Sequence, residues 1–397
     1  MSTSIRVIEA VKSVNVQGSP AHWANEQGTR FKNPWTSWRE HDWRDMYYIL
    51  FKHNRLTPKA PENMSTLLPT RKPTWNHEGD DAQKLKATWI GHASFFVELP
   101  ARANTEGRVP KRGARILFDP IFSTHCAPIK LAGTARITPP ACALEELPEV
   151  DAVVISHNHY DHLDRPTLTK LAALPRKPHF FAPLGNLAQL MSVGVPQDNC
   201  HVLDWWQSRR VEVDIPSQDG SDKTVPAVFD LTCTPNQHGE GRTPMDRMGY
   251  PKSLWASWVA REVLPDLSST SPKTVYFAGD TGYRAVLDEQ NEDEGPVCEA
   301  FKQIGEKFGP IDLALLPIGA YAPRRFMSTV HCSPKDSALV FKDIKAKRAI
   351  AMHWGAFILT TEPIMEPPKK LKEACEEVGI EEGAFICTDI GQTMLYD

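Results

Sequence analysis

The chain has 397 residues, 41% hydrophobic and 24% charged, which is the balance of a globular enzyme with ample material for a core. A formal net charge of -4 argues against a dedicated nucleic-acid binder but leaves an anionic lipid open, because local patches matter more than the sum. The eight cysteines contain no CxxC pair, so no zinc ribbon or redox motif is present and reduced thiols in an intracellular protein are expected.

The opening stretch MSTSIRVIEAVKSVNVQG lacks the apolar core of a secretory signal, and no apolar run approaches the ~20 residues that span a bilayer. The expected location is therefore cytoplasmic, or peripheral on an organelle membrane. Residues 1–30 are polar and weakly patterned and read as a loosely held arm. An aromatic-rich stretch follows. Trp43, Met46, Tyr47 and Leu50 recur at helical spacing, with Phe51 next in the stripe and Arg44, Lys52 and Arg55 on its flanks. Such a helix suits three uses: docking on its own domain, lying in a membrane interface, or meeting a second copy. Residues 57–81, rich in Pro, Asn and charge, read as a connecting loop. Residues 31–86 thus form an extension packed on a catalytic domain at 87–397.

From residue 87 the texture changes. The runs ATWIGHASFFVEL, ARILFDP, VDAVVISH, TVYFAGD, IDLALLPIG and RAIAMHWG are β-rich, and several are apolar almost throughout, as for strands covered on both faces. Helical stretches are predicted at 167–174, 297–308, 334–344 and 367–378. Strands alternating with helices imply a layered α/β core. Polar segments at 101–113, 217–223 and 288–295 read as surface insertions.

The chemistry concentrates in Ser156-His-Asn-His-Tyr-Asp-His162, just beyond the strand in VDAVVISH. A lone histidine defaults to a structural role. Three histidines and an aspartate in HxHxDH order at the end of a buried strand point instead to metal. On a tight loop His157 and His159 can converge on one ion, while Asp161 and His162 turn to a second. These donors suit Zn²⁺, with Fe²⁺ and Mn²⁺ as alternatives. Other strand ends supply His238, Asp280 and His353, completing seven ligands, and Asp280 between Gly279 and Gly282 can approach both ions. Asp119 and His92 are read as groups that hold ligands from behind.

With HxHxDH, a later His, Gly-Asp-Thr-Gly and a final His, the chain resembles the metallo-β-lactamase superfamily. Within it the chain resembles the N-acyl-phosphatidylethanolamine phospholipases D. The matching stretches are Arg30-Phe-Lys-Asn-Pro-Trp35, Trp89-Ile-Gly-His-Ala93, Phe118-Asp-Pro-Ile-Phe-Ser123, Ile155 to Asp164, Leu203-Asp-Trp-Trp206, Phe277 to Tyr283 and Pro317-Ile-Gly-Ala-Tyr321. The resemblance implies an αββα sandwich, two mixed sheets face to face with helices outside. It implies two Zn²⁺ per chain, one on His157, His159 and His238, the other on Asp161, His162 and His353, with Asp280 bridging. It implies hydrolysis of N-acyl-phosphatidylethanolamine to N-acylethanolamine and phosphatidic acid by a hydroxide shared between the metals, and it permits a homodimer. Asp161 and Asp280 count among the catalytic groups, with Tyr160 and His331 as candidates to protonate the leaving alkoxide. The segment Gly239-Glu-Gly-Arg242 departs from the Trp expected after the histidine in animal members. A lactonase or cyclic phosphodiesterase acting on a small soluble substrate would use the same metal set, because the scaffold does not fix the substrate.

Overall fold

The structure, a computed structural model, describes residues 4–9, 20–48, 58–127, 133–242, 250–264, 270–287 and 291–397. Two large mixed sheets dominate these residues. The eight-stranded sheet runs edge to edge through Ser4–Glu9, Ser208–Pro216, Thr224–Thr234, Ser257–Glu262, Thr274–Phe277, Leu313–Pro317, Ala349–Met352 and Phe385–Ile386. The seven-stranded sheet runs through Thr393–Tyr396, Leu85–Gly91, Ser94–Glu98, Arg115–Phe118, Ala152–Val154, His179–Pro183 and Cys200–Leu203. Each is antiparallel at one end and parallel at the other.

The predicted apolar runs are the central strands. Arg115–Phe118, Ala152–Val154, Leu313–Pro317 and Ala349–Met352 are buried along their whole length, as strands covered on both faces must be. The sheets meet face to face. Phe118 of one stacks on Phe277 of the other at 4.7 Å, and the Trp258 indole donates across the gap to the Ile155 carbonyl at 3.0 Å. Helices Arg165–Ala172, Ala300–Phe308, Pro334–Asp343 and Glu366–Val378 lie within a few residues of their predicted positions. A reciprocal capping box between Ser333 and Asp336, with Pro334 in the first turn, sets the start of Pro334–Asp343. The expected layered α/β architecture is thus present.

Two expectations are corrected. The first 30 residues are not a loose arm where they are described. Ser4–Glu9 pairs antiparallel with Ser208–Pro216 at the sheet edge. His22 and Trp23 both reach the Asp204 carboxylate, at 2.6 and 2.9 Å, and Phe31 is fully buried. In Ser4–Glu9 only Ile5 and Val7 turn to the core, a period-two signal two residues long, and His22 is attached by a hydrogen bond that leaves no period at all. Residues 217–223 are the hairpin turn between Ser208–Pro216 and Thr224–Thr234, closed by Ser217 N–H to the Lys223 carbonyl, rather than an insertion. In the aromatic stretch, helix Trp43–Tyr47 is held by Asp45, and the Arg325 guanidinium that pairs with it also lies 5.9 Å from the Tyr48 ring. Asp45 is fully buried between Arg39 and Arg325, whereas Trp43 is 73% exposed. Leu50, Phe51, Lys52, Arg55 and the Met46 side chain lie outside the described residues.

Candidate metal centre

The ligand candidates sit at strand ends that the two sheets bring to one rim. His92, Asp119 and His353 each follow directly on a strand, Leu85–Gly91, Arg115–Phe118 and Ala349–Met352 respectively. All three adopt left-handed backbone, at φ of 55°, 36° and 64°. Non-glycine residues held there mark a local geometry that the surroundings impose. Gly279 has φ of 60°, and a Cβ on it would lie 2.5 Å from the Cβ of Ser156. Only glycine lets the Asp280 turn approach the His157 loop this closely.

Four groups of potential ligand atoms result among the described residues, each with all its atoms within 4.8 Å of one another: the two four-membered ones are His157, His159, His238 and Asp280, and His92, Asp161, His162 and His353, and the two smaller ones are Asp119, His157 and His162, and Asp280, His331 and His353. The Nε2 atoms of His157 and His238 lie 2.8 and 3.3 Å from His159 Nδ1. Asp280 faces both four-membered groups. Its Oδ2 is 3.9 Å from His157 Nε2 and 3.1 Å from His162 Nε2, and its Oδ1 is 3.0 Å from His353 Nε2. Asp161 Oδ2 lies 3.4 Å from His162 Nε2, 3.6 Å from His353 Nε2 and 2.9 Å from His92 Nε2.

The partners behind the rings set the tautomers. His238 Nδ1 lies 2.9 Å from the Val330 carbonyl, which only accepts, so Nδ1 carries the hydrogen and Nε2 presents its lone pair. Asp119 does the same for His162, whose Nδ1 is 2.6 Å from Oδ2. Ser156 gives its hydroxyl hydrogen to Asp119 at 2.5 Å, so its oxygen accepts from His157 Nδ1 at 2.9 Å. Asp119 thereby reaches one histidine of each four-membered group, His162 directly and His157 through Ser156.

Do these donors fit a divalent cation? His162 Nε2, His353 Nε2 and Asp280 Oδ1 are buried and without a hydrogen-bond partner among the described residues. Buried polar atoms are almost always satisfied, and one cation would satisfy these together. The electrostatics agree. Although burial opposes it, Asp280, Asp161 and Asp119 push His162 well above the ordinary histidine range, and Asp280 with Asp161 raises His353 to about 9. The carboxylates call for positive charge at these two nitrogens. Burial, then the neighbouring His238, lowers His159 to about 3, and burial with His353 lowers His92 to about 3. Both are therefore neutral imidazoles, the form that binds metal.

His331 is brought in as well. Its Nδ1, buried and unpartnered among the described residues, is 3.9 Å from Asp280 Oδ2, and its ring stacks on His353 at 5.3 Å. Tyr160 is not. Its hydroxyl donates to the Arg242 carbonyl at 3.0 Å, and the Arg242 guanidinium covers its ring at 4.0 Å. In this arrangement the hydroxyl braces the loop from Arg242 rather than facing the ligand groups. Arg242 Nη1 also donates to the Asn158 and Leu163 carbonyls at 2.7 and 3.1 Å, clamping both ends of the metal loop. Ser156, Arg242 and the Glu240–Asn158–Ser253 network were missed from the sequence. No spacing rule marks them, because they act across chain segments far apart.

Comparison with known proteins finds relatives over most of the chain. A model of the beta-lactamase superfamily domain matches residues 114–354. The N-acyl-phosphatidylethanolamine-hydrolyzing phospholipase D 1 of Caenorhabditis elegans is 30% identical over 92% of each chain. The mitochondrial N-acyl-phosphatidylethanolamine-hydrolyzing phospholipase D of Saccharomyces cerevisiae is 28% identical over 93% of this chain and 76% of that one. An uncharacterised Mycobacterium tuberculosis protein is 34% identical over 83% of this chain and 73% of its own. Among solved structures, isothiocyanate hydrolase from Delia radicum gut bacteria superposes with a TM-score of 0.50 at 21% identity, covering 78% of this chain and 98% of that one. A possible metal-dependent hydrolase from Veillonella parvula superposes with a TM-score of 0.51 at 17% identity, covering 78% and 99%.

Proposed function

The chain belongs to the beta-lactamase superfamily and has its fold, and from that premise we propose that it is a zinc-dependent phosphodiesterase of the phospholipase D type. Its substrate in this reading is N-acyl-phosphatidylethanolamine, and its products are N-acylethanolamine and phosphatidic acid. The observation that carries the reading is the pair of ligand groups facing one shared carboxylate, Asp280. The likeness to the Caenorhabditis elegans enzyme over 92% of both chains supports the substrate class.

His157, His159 and His238 would hold one ion and Asp161, His162 and His353 the other, with Asp280 between them. Two bound zinc ions would lower the pKa of a shared water toward neutrality and supply positive charge for attack on phosphorus. The chain's own groups do the rest. Asp119 keeps His157 and His162 turned with Nε2 inward. Burial, then the neighbouring His353 and His238, holds His331 well below the ordinary histidine range against the pull of Asp280. A neutral His331 suits hydrogen bonding to a phosphoryl or leaving oxygen better than arriving already protonated.

No helix among the described residues is long and apolar enough to cross a membrane. In our reading lipid is met at the exposed Trp43 and Tyr47, with Arg44 beside the Trp43 ring, a composition that suits the headgroup zone.

The test is turnover of a synthetic N-acyl-phosphatidylethanolamine by the purified full chain, with and without a chelator. Release of both products, abolished by chelation and restored by Zn²⁺, is expected. Cleavage of a lactone or cyclic phosphodiester in place of the lipid would move the assignment to a small soluble substrate.

A further inference from the structure

The segment Asn33–Ser37 lies against the loop that carries His238 and contacts three successive residues of it. Trp35 Nε1 donates to the Asn236 carbonyl at 2.9 Å, Ser37 Oγ to the Gln237 side-chain oxygen at 2.5 Å, and Asn33 Nδ2 to the His238 carbonyl at 2.7 Å. The segment is itself anchored on both sides. Upstream, Phe31 is fully buried and its N–H donates to the Pro251 carbonyl at 2.9 Å. Trp35 stacks on Trp205 at 5.6 Å. Downstream, Arg39 pairs with the buried Asp45, which also takes Arg325 at 3.0 Å.

Gln237 and Asn236 pass this restraint on. Gln237 Nε2 donates to the Thr329 carbonyl at 2.9 Å, and its backbone N–H donates to the hydroxyl of Thr281, the residue after Asp280, at 3.0 Å. Asn236 Nδ2 donates to the Asp280 carbonyl at 2.9 Å. One stretch of the N-terminal extension is therefore joined by hydrogen bonds to the chain around His238, Asp280 and the His331 turn. All of these contacts are buried or partly buried hydrogen bonds made away from the ligand atoms themselves.

We propose that Asn33, Trp35 and Ser37 are positioning residues of the metal centre, holding the His238 loop in register with Asp280 so that both can reach one ion. This rests on the metal-centre reading above. Groups that orient ligands in this way typically contribute ten- to a hundred-fold in metal affinity. The extension is then part of the site rather than an appendage to a self-sufficient domain.

The experiment uses the full chain, stripped of metal and titrated with Co²⁺, whose visible spectrum reports ligand geometry, and with Zn²⁺ by competition against a chelating dye. Asn33→Ala and Ser37→Ala should weaken one of the two binding steps about ten-fold or more and change the Co²⁺ spectrum, while circular dichroism stays that of the parent. Ser37→Thr, which keeps the hydroxyl, should restore both readouts. Parent-like affinity and spectrum in the alanine variants would overturn the proposal. If Asn33→Ala does not fold, the Ser37→Ala and Ser37→Thr pair decides alone. A parent chain that takes up no metal would defeat the metal-centre reading itself, which is a different result.

Discussion

Asp119 accepts a hydrogen bond from His162 at 2.6 Å, and through Ser156 the same carboxylate fixes His157 in the other ligand group. Replacing it touches both groups at once. Asp119→Ala should lower metal affinity by ten- to a hundred-fold, with both equivalents affected in a metal analysis of dialysed protein. A variant retaining the parent's metal content and turnover would remove Asp119 from the centre.

Asp280 and His159 should behave differently from each other. His159 belongs to one group and Asp280 faces both. His159→Ala is expected to cut the stoichiometry from two ions to one and Asp280→Ala to cut it further, as read by elemental analysis of equal amounts of folded protein. Equal losses in the two variants would contradict a shared carboxylate.

Much of this was legible beforehand, and the physical reason is uniform. The parallel central strands are buried on both faces, so their sequences are unbroken apolar runs. The candidate ligands lie at the ends of such strands, so His157, Asp280 and His353 follow those runs closely. The antiparallel strands Ser208–Pro216 and Thr224–Thr234 are not unbroken apolar runs; in the first, buried Val211, Val213 and Ile215 alternate with half-buried Glu212 and Asp214, the period-two trace of a strand with one covered face. The N-terminal segment was misjudged for another reason. His22, Trp23, Asn33 and Ser37 are attached by hydrogen bonds to Asp204 and to the His238 loop, and such bonds leave no periodic trace. The place of Tyr160 within the motif says nothing of where its hydroxyl points, and the structure turns it to the Arg242 carbonyl.

Arg242 should matter for stability before chemistry. It donates to two carbonyls of the metal loop, and Arg242→Ala would deprive both of this donor. Unsatisfied buried acceptors cost about 1–3 kcal/mol each, so a fall of roughly 2–6 kcal/mol for the two carbonyls is expected in denaturant titration of the metal-free chain. An unchanged midpoint would mean water replaces the guanidinium at no cost.

A pH effect on stability should arise far from the metal centre, at the partly buried pair His179 and His201. Their facing nitrogens are 2.8 Å apart, and burial, then His179, lowers His201 from 6.5 to about 4. Above pH 6.5 both the folded and unfolded states hold His201 neutral, so this site contributes its full stability. As pH falls from 6.5 toward 4 the unfolded chain binds a proton that the folded chain refuses, and stability drops by at most about 1.4 kcal/mol per pH unit for one proton. His201→Phe, which keeps a ring beside Phe181, should flatten this dependence between pH 7 and 5 in metal-free protein. Parallel curves for the two proteins would assign the acid sensitivity elsewhere.

The exposed aromatics give a surface test. Trp43 and Tyr47 are 73% and 49% exposed, on a helix whose buried contact is the Asp45 carboxylate. Burying a large apolar side chain is worth roughly 1.5–3 kcal/mol, so losing one such contact weakens partitioning about ten-fold or more. Trp43→Ala with Tyr47→Ser should therefore reduce flotation with phosphatidylethanolamine-containing vesicles by at least that factor. Turnover of a short-chain, micelle-free substrate should stay at the parent level. If flotation is unchanged but the sedimenting mass falls from dimer to monomer, the face joins two copies of the chain and lipid must be met elsewhere.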